Sequence, residues 1–355
     1  MMAVTGPLVI KAATGENVTP DDMGGARLHT AQSGEAHYRV PGYQDAAHLA
    51  RRYFSYLPQS MWSLPRCTTP PPKRPTPVDL HAVVTQARHN ARLKRNASWD
   101  VRTFIQVAVD DDTWLEYHAD YATSATVGLA RIAGIAVAVL ANQRLALGGA
   151  LTADASAKMS RFLRLANAYH LPVLTLVDVP GFMATQAESA RQILSKGATL
   201  LMMYPSLAVP HISVVIDKAF GGAYCAMDSH ASSARFQRSR HYGLTTGQIA
   251  VMGKEAGPFF TYGSDNGDPQ VKEQQQMRYE AEFLNMERAY AGHFVVSLEA
   301  DALRQRLLTD LPPLYDDYRD YWQALVEELH HTRLHCPRLY NELRHGAVRG
   351  LIYPL

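Results

Sequence analysis

Between Leu171 and Gly253 three apolar runs follow one another, and the first two each stop at a glycine turn: LPVLTLVDVPGF, then VPHISVVIDKAFGGAY, then GQIAVMG. Val173 to Val177 is short, apolar and uncharged, the pattern of a strand buried on both faces. Asp178-Val179-Pro180-Gly181-Phe182 then turns sharply, because Pro180 fixes φ and Gly181 tolerates conformations that other residues resist. Ile212 to Ile216 repeats this arrangement and ends at Phe220-Gly221-Gly222-Ala223-Tyr224. Two successive glycines let the main-chain N–H groups of Gly222 and Ala223 point together at one anion, the more so where a helix begins and adds its dipole. The same residues also suit a close-packed strand-to-helix turn in an ordinary α/β domain. The ordered trio of runs is what favours an anion site.

Composition narrows the classes of function. At 355 residues and 47% hydrophobic content the chain can bury one large core or two modest ones. A formal charge of +2 argues against a nucleic-acid surface, which needs a concentrated basic face. Cys67, Cys225 and Cys336 lie far apart with no CxxC spacing, which points away from a disulfide framework or a structural zinc site and towards a reducing cytoplasm. No run of eighteen apolar residues exists, and MMAVTGPLVIKAATGE lacks the charged and apolar regions of a signal peptide, so neither membrane insertion nor secretion is expected.

Three segments are expected: residues 1–60, 61–97 and 98–355. The first holds a strand-like start, VTGPLVIK, a helix start at Thr19-Pro20-Asp21-Asp22, and an amphipathic helix from about Asp45 to Tyr56. The second is a proline-rich linker, TTPPPKRPTPVD, followed by a basic stretch from His81 to Ala97 to which no chemistry is assigned. From Ser98 the pattern is regular α/β. It has a short helix towards Asp110, a strand at Trp114-Leu115-Glu116, a hairpin around Gly134, helices over Ala153–Tyr169 and Ala190–Met203, and the two strands already described. Tyr279 to Glu287, Ala300 to Leu308 and Tyr315 to Tyr340 read as further helices.

The DVPGF, FGGAY and QIAVMG segments, with GGARLHTAQSGEAH near the start and Gly346 to Tyr353 near the end, resemble the carboxyltransferase (β) subunit of biotin-dependent acyl-CoA carboxylases, propionyl-CoA carboxylase type. The resemblance covers about two thirds of the chain by eye. It implies a crotonase-like (ClpP/crotonase) spiral of ββα units, here with extra C-terminal helices. Residues 1–60 match only the tail of that family's N-terminal domain, so the half that holds the thioester carbonyl is expected on another chain.

The implied reaction moves CO2 from carboxybiotin, borne on a separate carrier protein, to the α-carbon of an acyl-CoA through an enolate held by backbone amides. Such a site needs amide donors more than a side-chain base. The resemblance places the biotin-oxygen donors at Gly222 and Ala223. It places the substrate surface at Pro180, Gly181, Phe182, Gly221, Tyr224 and Cys225. Expected partners are a biotin carboxyl carrier or biotin carboxylase subunit and a subunit supplying the missing half, within an oligomer, with no nucleic acid and no membrane.

Three departures from the family pattern stand out. Met183-Ala184-Thr185-Gln186 follows DVPGF in place of a Pro-Gly step, Tyr242 to Gly247 replaces a Trp-Pro step, and Cys225 stands where the family has Asp. The last implies an acyl group other than propionyl, longer or more apolar. A non-catalytic scaffold that keeps the fold for assembly and a biotin-independent acyl-CoA decarboxylase using the same amides are the alternatives.

Other candidates receive plain packing roles. His29 and His37 flank Ser33-Gly34 and are read as structural, and Asp178 is read as capping its own turn. His331 and His335 share a helical face near His330 and Cys336, but no Glu completes an HExxH, and no metal is assigned. Cys225 is read as lining a pocket rather than as a nucleophile.

Overall fold

The structure, a computed structural model, describes residues 2–60, 62–70, 80–92, 98–229, 239–254, 257–264, 267–289, 294–296 and 302–335. Its centre is an eight-stranded sheet. Three strands run antiparallel: β1 (Leu115–Tyr117), β2 (Ala125–Ile132) and β3 (Ile135–Asn142). From β3 the ladder turns parallel through β4 (Val173–Val179), β5 (His211–Phe220), β6 (Ser239–Leu244) and β8 (Phe294–Val296), while β7 (Gln248–Ala250) pairs with the far end of β5. Every residue of β2, β3 and β4 is buried, which explains why these runs carry little hydrophobic alternation.

Helices cover the sheet. α6 (Arg102–Ala108) precedes β1, and α7 (Ala153–Ala168) connects β3 to β4. The α7 N-terminus is satisfied twice: the Thr152 side chain accepts from the Ala155 N–H, and Glu188 accepts from the Ala153 N–H at 2.6 Å. Between β4 and β5 the expected helix is α9 (Ile193–Met203), and a short α8 (Gln186–Ala190) precedes it, the two separated at Gln192, whose φ is 66°.

The N-terminal block departs from expectation at its start. VTGPLVIK is not a strand: Pro7 to Thr14 is helix α1, because Pro7 presets the first-turn φ and Gly15, at φ 80°, closes the end. Thr19 does start a helix, α2 (Pro20–Gly24), through a reciprocal capping box with Asp22. α3 (Ala26–Ala31) follows, and the amphipathic helix is α4 (Tyr43–Phe54). This block is tied to the rest of the fold by the Tyr56 hydroxyl donating to the Thr113 carbonyl just before β1 and by Arg161 of α7 donating to the Gly34 carbonyl at 3.0 Å.

Residues 62–70 of the proline-rich stretch cross the β2–β3 hairpin, where the Thr68 N–H donates to the Gly134 carbonyl. A Cβ on Gly134 would lie 1.7 Å from the Thr68 carbonyl oxygen, so the crossing requires glycine there. The basic stretch forms α5 (Leu80–Arg92), which buries Leu80, Val84 and Ala87.

Towards the C-terminus come α10 (Gly221–Cys225), α11 (Gly257–Tyr262), α12 (Pro269–Ala289) and α13 (Ala302–His335). The two helices expected beyond Ala300 are one, with Pro312 and Pro313 inside it. Two prolines remove two helical donors. Against that loss the helix buries Leu303, Leu307, Leu311, Leu314, Tyr315, Tyr318 and Trp322 along one side, and tertiary packing outweighs local propensity. The closing segment read at Gly346 to Tyr353, and Cys336, lie outside the described residues.

Candidate functional site

Both glycine turns leave the carboxyl ends of adjacent parallel strands, the edge at which open α/β sheets bind ligands. At the end of β5, Gly221 takes φ 57°, and a Cβ there would approach the Val251 carbonyl oxygen at 3.0 Å. Glycine is required by both the backbone angle and the space. α10 begins at once, so the N–H groups of Gly222 and Ala223 fall in a first helical turn, where no intrahelical acceptor exists. Among the described residues neither N–H has a partner. Gly222 is exposed, and a Cβ built on it would meet nothing within 4 Å. Ala223 is buried at 1% exposure, so it holds the turn against the core while Gly222 faces open space.

The remaining expected site residues point in different directions. The Tyr224 side chain packs into the main core and Cys225 is exposed, so the two do not line one common wall. Gly181 has φ 155° and its carbonyl accepts from the Leu151 N–H at 3.1 Å, while the Met183 N–H returns to the Leu151 carbonyl at 2.8 Å. The Met183–Gln186 loop is thereby fastened to the start of α7. The Phe182 ring lies over Gly197 of α9, where a Cβ would come within 2.9 Å of it. Pro180 stands between β4 and this loop, partly exposed.

Beneath the turns lies a buried charge cluster. Arg144, from the loop after β3, places Nη1 at 2.5 Å from Asp217 Oδ2 and 3.4 Å from Asp178 Oδ2, with its guanidinium 4.0 Å from the centre of the Trp99 ring. Asp178 does not cap its own turn. Its Oδ1 accepts from the Lys218 N–H on the neighbouring strand at 3.2 Å, and its own N–H donates to Asn142 Oδ1. The reason is position: Asp178 is fully buried inside the β4–β5 ladder, where the nearest donor is across the strand pair.

Burial pushes the Asp178 carboxyl well above the usual carboxylate range, Arg144 opposes the rise and the nearby Asp217 charge adds to it. Gln248 of β7 closes the cluster by donating to Asp217 Oδ1 at 3.0 Å. Asp217 and Arg144 were not singled out from the sequence. Their signal is an Asp interrupting VVIDKAF and an Arg at the end of an apolar strand.

His29 and His37 serve separate packing roles: His29 bonds Ser33 and the Met2 carbonyl, and His37 stacks on Tyr117 at 4.3 Å. His331 and His335 fall in the last turns of α13. Among the described residues no cluster of three His, Cys, Asp or Glu could hold a metal, and no helix is long and apolar enough to cross a membrane. Cavities of about 370 and 670 Å3 lie in the N-terminal block, around Leu57 and Arg27, and neither contains a residue of the glycine turns.

Residues 1–310 match the carboxyl transferase domain family. The chain belongs to that family. It is 35% identical to the biotin-dependent acetyl-/propionyl-coenzyme A carboxylase beta5 subunit of Mycobacterium leprae, over 88% of this chain and 60% of that protein. It is 34% identical to the mitochondrial propionyl-CoA carboxylase beta chain of Sus scrofa, over 88% of this chain and 55% of that protein. The hexameric transcarboxylase 12S, solved with methylmalonyl-coenzyme A and methylmalonic acid bound, superposes with a TM-score of 0.77 at 30% identity, over 88% of this chain and 58% of that one. This likeness establishes the crotonase-like fold expected from the sequence. The chain therefore spans less than two thirds of the length of these carboxyltransferase relatives.

Proposed function

We propose that the chain is the biotin-facing part of an acyl-CoA carboxyltransferase, with the Gly222 and Ala223 amides holding the oxygen that becomes negative as the carboxyl group leaves the carrier. The observation that carries this reading is the pair of N–H groups without partners in the first turn of α10, beside an exposed glycine with empty space around it. Donors fixed in advance at the place where charge develops stabilise it without reorganisation. Biotin on a carrier protein supplies an activated carboxyl group, and the open face around Gly222 admits a group on a flexible arm. The substrate class is an acyl-CoA. Cys225, exposed beside the amides, is one contact that distinguishes acyl groups.

The remaining length of the relatives is the natural source of the thioester-binding half, on whichever polypeptide it lies. Val251, exposed by 66%, gives a second protein an apolar contact next to Gly221, and Phe259 and Phe260, exposed by 59% and 66%, add apolar surface on α11. An oligomer with a biotin carrier, a biotin carboxylase and the thioester half is the working assembly we propose, located in the cytoplasm.

Coexpression with neighbouring reading frames, followed by an assay of acyl-CoA-dependent CO2 exchange across a panel of thioesters, tests the reading. Exchange by the wild-type assembly and its loss in Gly222→Pro, which removes one donor at a first-turn position that tolerates proline, is the expected result. An assembled complex inactive towards every thioester would leave the chain as a scaffold.

A further inference from the structure

We infer that Arg144 is a positioning residue for the anion-binding turn: by holding Asp178 and Asp217 together it fixes the direction of the end of β5, and with it the Gly222 and Ala223 amides. The inference rests on the function proposed above.

The strand pairing shows where that direction is set. β4 and β5 keep register from Val173↔His211 to Val177↔Val215, and the next pair is Val179↔Ala219. Over that interval β4 advances two residues (177 to 179) and β5 advances four (215 to 219), so Ile216, Asp217 and Lys218 stand opposite Asp178 alone. Such a bulge re-aims the strand that carries it. β5 also changes neighbours there. Up to Val215 it pairs with β6, and from Lys218 it pairs with β7. The last residues before Gly221 therefore take their course from the bulge rather than from the main ladder.

Charged and amide side chains fill that bulge. One nitrogen of Arg144 lies within 2.5 Å of Asp217 and 3.4 to 3.5 Å of both Asp178 oxygens, and the guanidinium is braced on Trp99. Among the described residues, Lys218 from β5, Gln248 from β7 and Asn142 from β3 also face the cluster. The loop after β3, the end of β4 and the bulge of β5 thus meet at the Arg144 guanidinium. Replacing a buried ion set with apolar residues of similar volume is often neutral or stabilising, so what this cluster supplies is a defined geometry rather than stability. A site of this kind works only when its supporting residues hold the donors in place.

The test uses the full-length chain, with its partner subunits for turnover. Arg144→Gln removes the cation, and Arg144→Lys keeps one nitrogen at the bridging place. Arg144→Gln is expected to lower kcat about 10- to 100-fold, as small misplacements of donors do. The acyl-CoA KM should change by less than about threefold, because the amides act in the transition state. The acid limb of the rate profile should move to higher pH, since the Asp178 carboxyl, already raised by burial, loses the cation that opposes the rise. Arg144→Lys should restore kcat to within about threefold of wild type.

Hydrogen–deuterium exchange over residues 216–225 should accelerate roughly tenfold in Arg144→Gln while the β2–β3 hairpin is unchanged. If Arg144→Gln does not fold, Asp217→Asn takes its place with the same readouts. Exchange requires no turnover, so a wild-type complex inactive towards every thioester would remove the carboxyl-transfer reading and leave this assignment to the exchange data. Turnover and exchange like wild type in Arg144→Gln, or loss of activity only in step with protection across the whole sheet, would overturn it.

Discussion

Two buried arginine–carboxylate clusters sit at different places in this sheet and differ in what they hold. In the first, Arg304 of α13 meets Asp110 at 2.9 Å and also donates to the Val109 carbonyl, while Asp110 accepts from the Ala133 and Gly134 N–H groups. One cation faces one carboxylate, and the cluster fastens the long C-terminal helix to the β2–β3 hairpin. In the second, two carboxylates share Arg144 at the point where β5 bends towards the glycine turn. The first fixes how elements pack. The second lies under the Gly222 and Ala223 N–H groups of the β5 glycine turn, which have no partner among the described residues. Similar chemistry therefore serves attachment in one place and aim in the other.

The largest separation between the two should come from Arg304→Met. It leaves the fully buried Asp110 carboxylate without its cation, and a cost of about 3–5 kcal/mol in urea unfolding is expected, with the specific activity of the folded fraction retained. Loss of activity without loss of stability from this variant would erase the distinction. Gly222→Ala should behave in the opposite way. The added methyl enters open space and favours the helix, raising stability by up to about 1 kcal/mol. Carboxyl exchange should nevertheless drop tenfold or more, because the methyl occupies the approach to the amides. Equal activity in Gly222→Ala would show that nothing binds closely there.

Asp217→Asn tests the sharing directly. Arg144 keeps Asp178 as its partner, so the unfolding free energy at pH 7 should stay within about 1 kcal/mol of wild type, well short of the Arg304→Met loss. Turnover should still fall, since the bulge has lost one of its two charged anchors.

The smallest effect concerns a buried histidine away from both clusters. Burial first, then the charges of His37, Arg161 and Lys158, pulls His118 down from 6.5 to about 3. Its folded value lies below its unfolded one, so the contribution to stability is complete above about pH 6.5 and is lost progressively as pH falls towards 3. Urea midpoints measured at pH 7.5 and 5 should therefore differ less in His118→Asn, a residue that also tolerates the φ of 54° at this position. An unchanged pH slope would show that His118 does not titrate in this way.

The central strands were legible because they are buried on both faces: an uncharged run such as Val173 to Val177, apolar but for Thr175, has few other uses, whereas β6 and β8 were not read. The Thr19 capping box was legible because its two bonds lie within four residues. The glycine turn was also readable, since φ 57° at Gly221 and the tight approach to Val251 exclude other residues. Less readable was α1, where Val9 and Ile10 suggested a strand but found no neighbour to pair with, and Pro7 and Gly15 set the helix instead. Two helices were expected at Ala300–Leu308 and Tyr315–Tyr340, yet the apolar side from Leu303 to Trp322 keeps one helix across Pro312-Pro313.

Local grammar by itself determined the β2–β3 hairpin, β4 and β5, where the last two turn, and that a pair of amides heads the turn after β5, because those depend on φ restrictions and on the period of apolar residues; it did not show β6 or β8. Tertiary structure alone decided that Asp178 bonds Lys218 rather than its own turn, that Asp217 and Arg144 meet across 73 residues of chain, and that Tyr224 and Cys225 face apart. Those outcomes follow from strand register and burial, and a two-residue bulge between β4 and β5 is invisible until both strands are laid side by side.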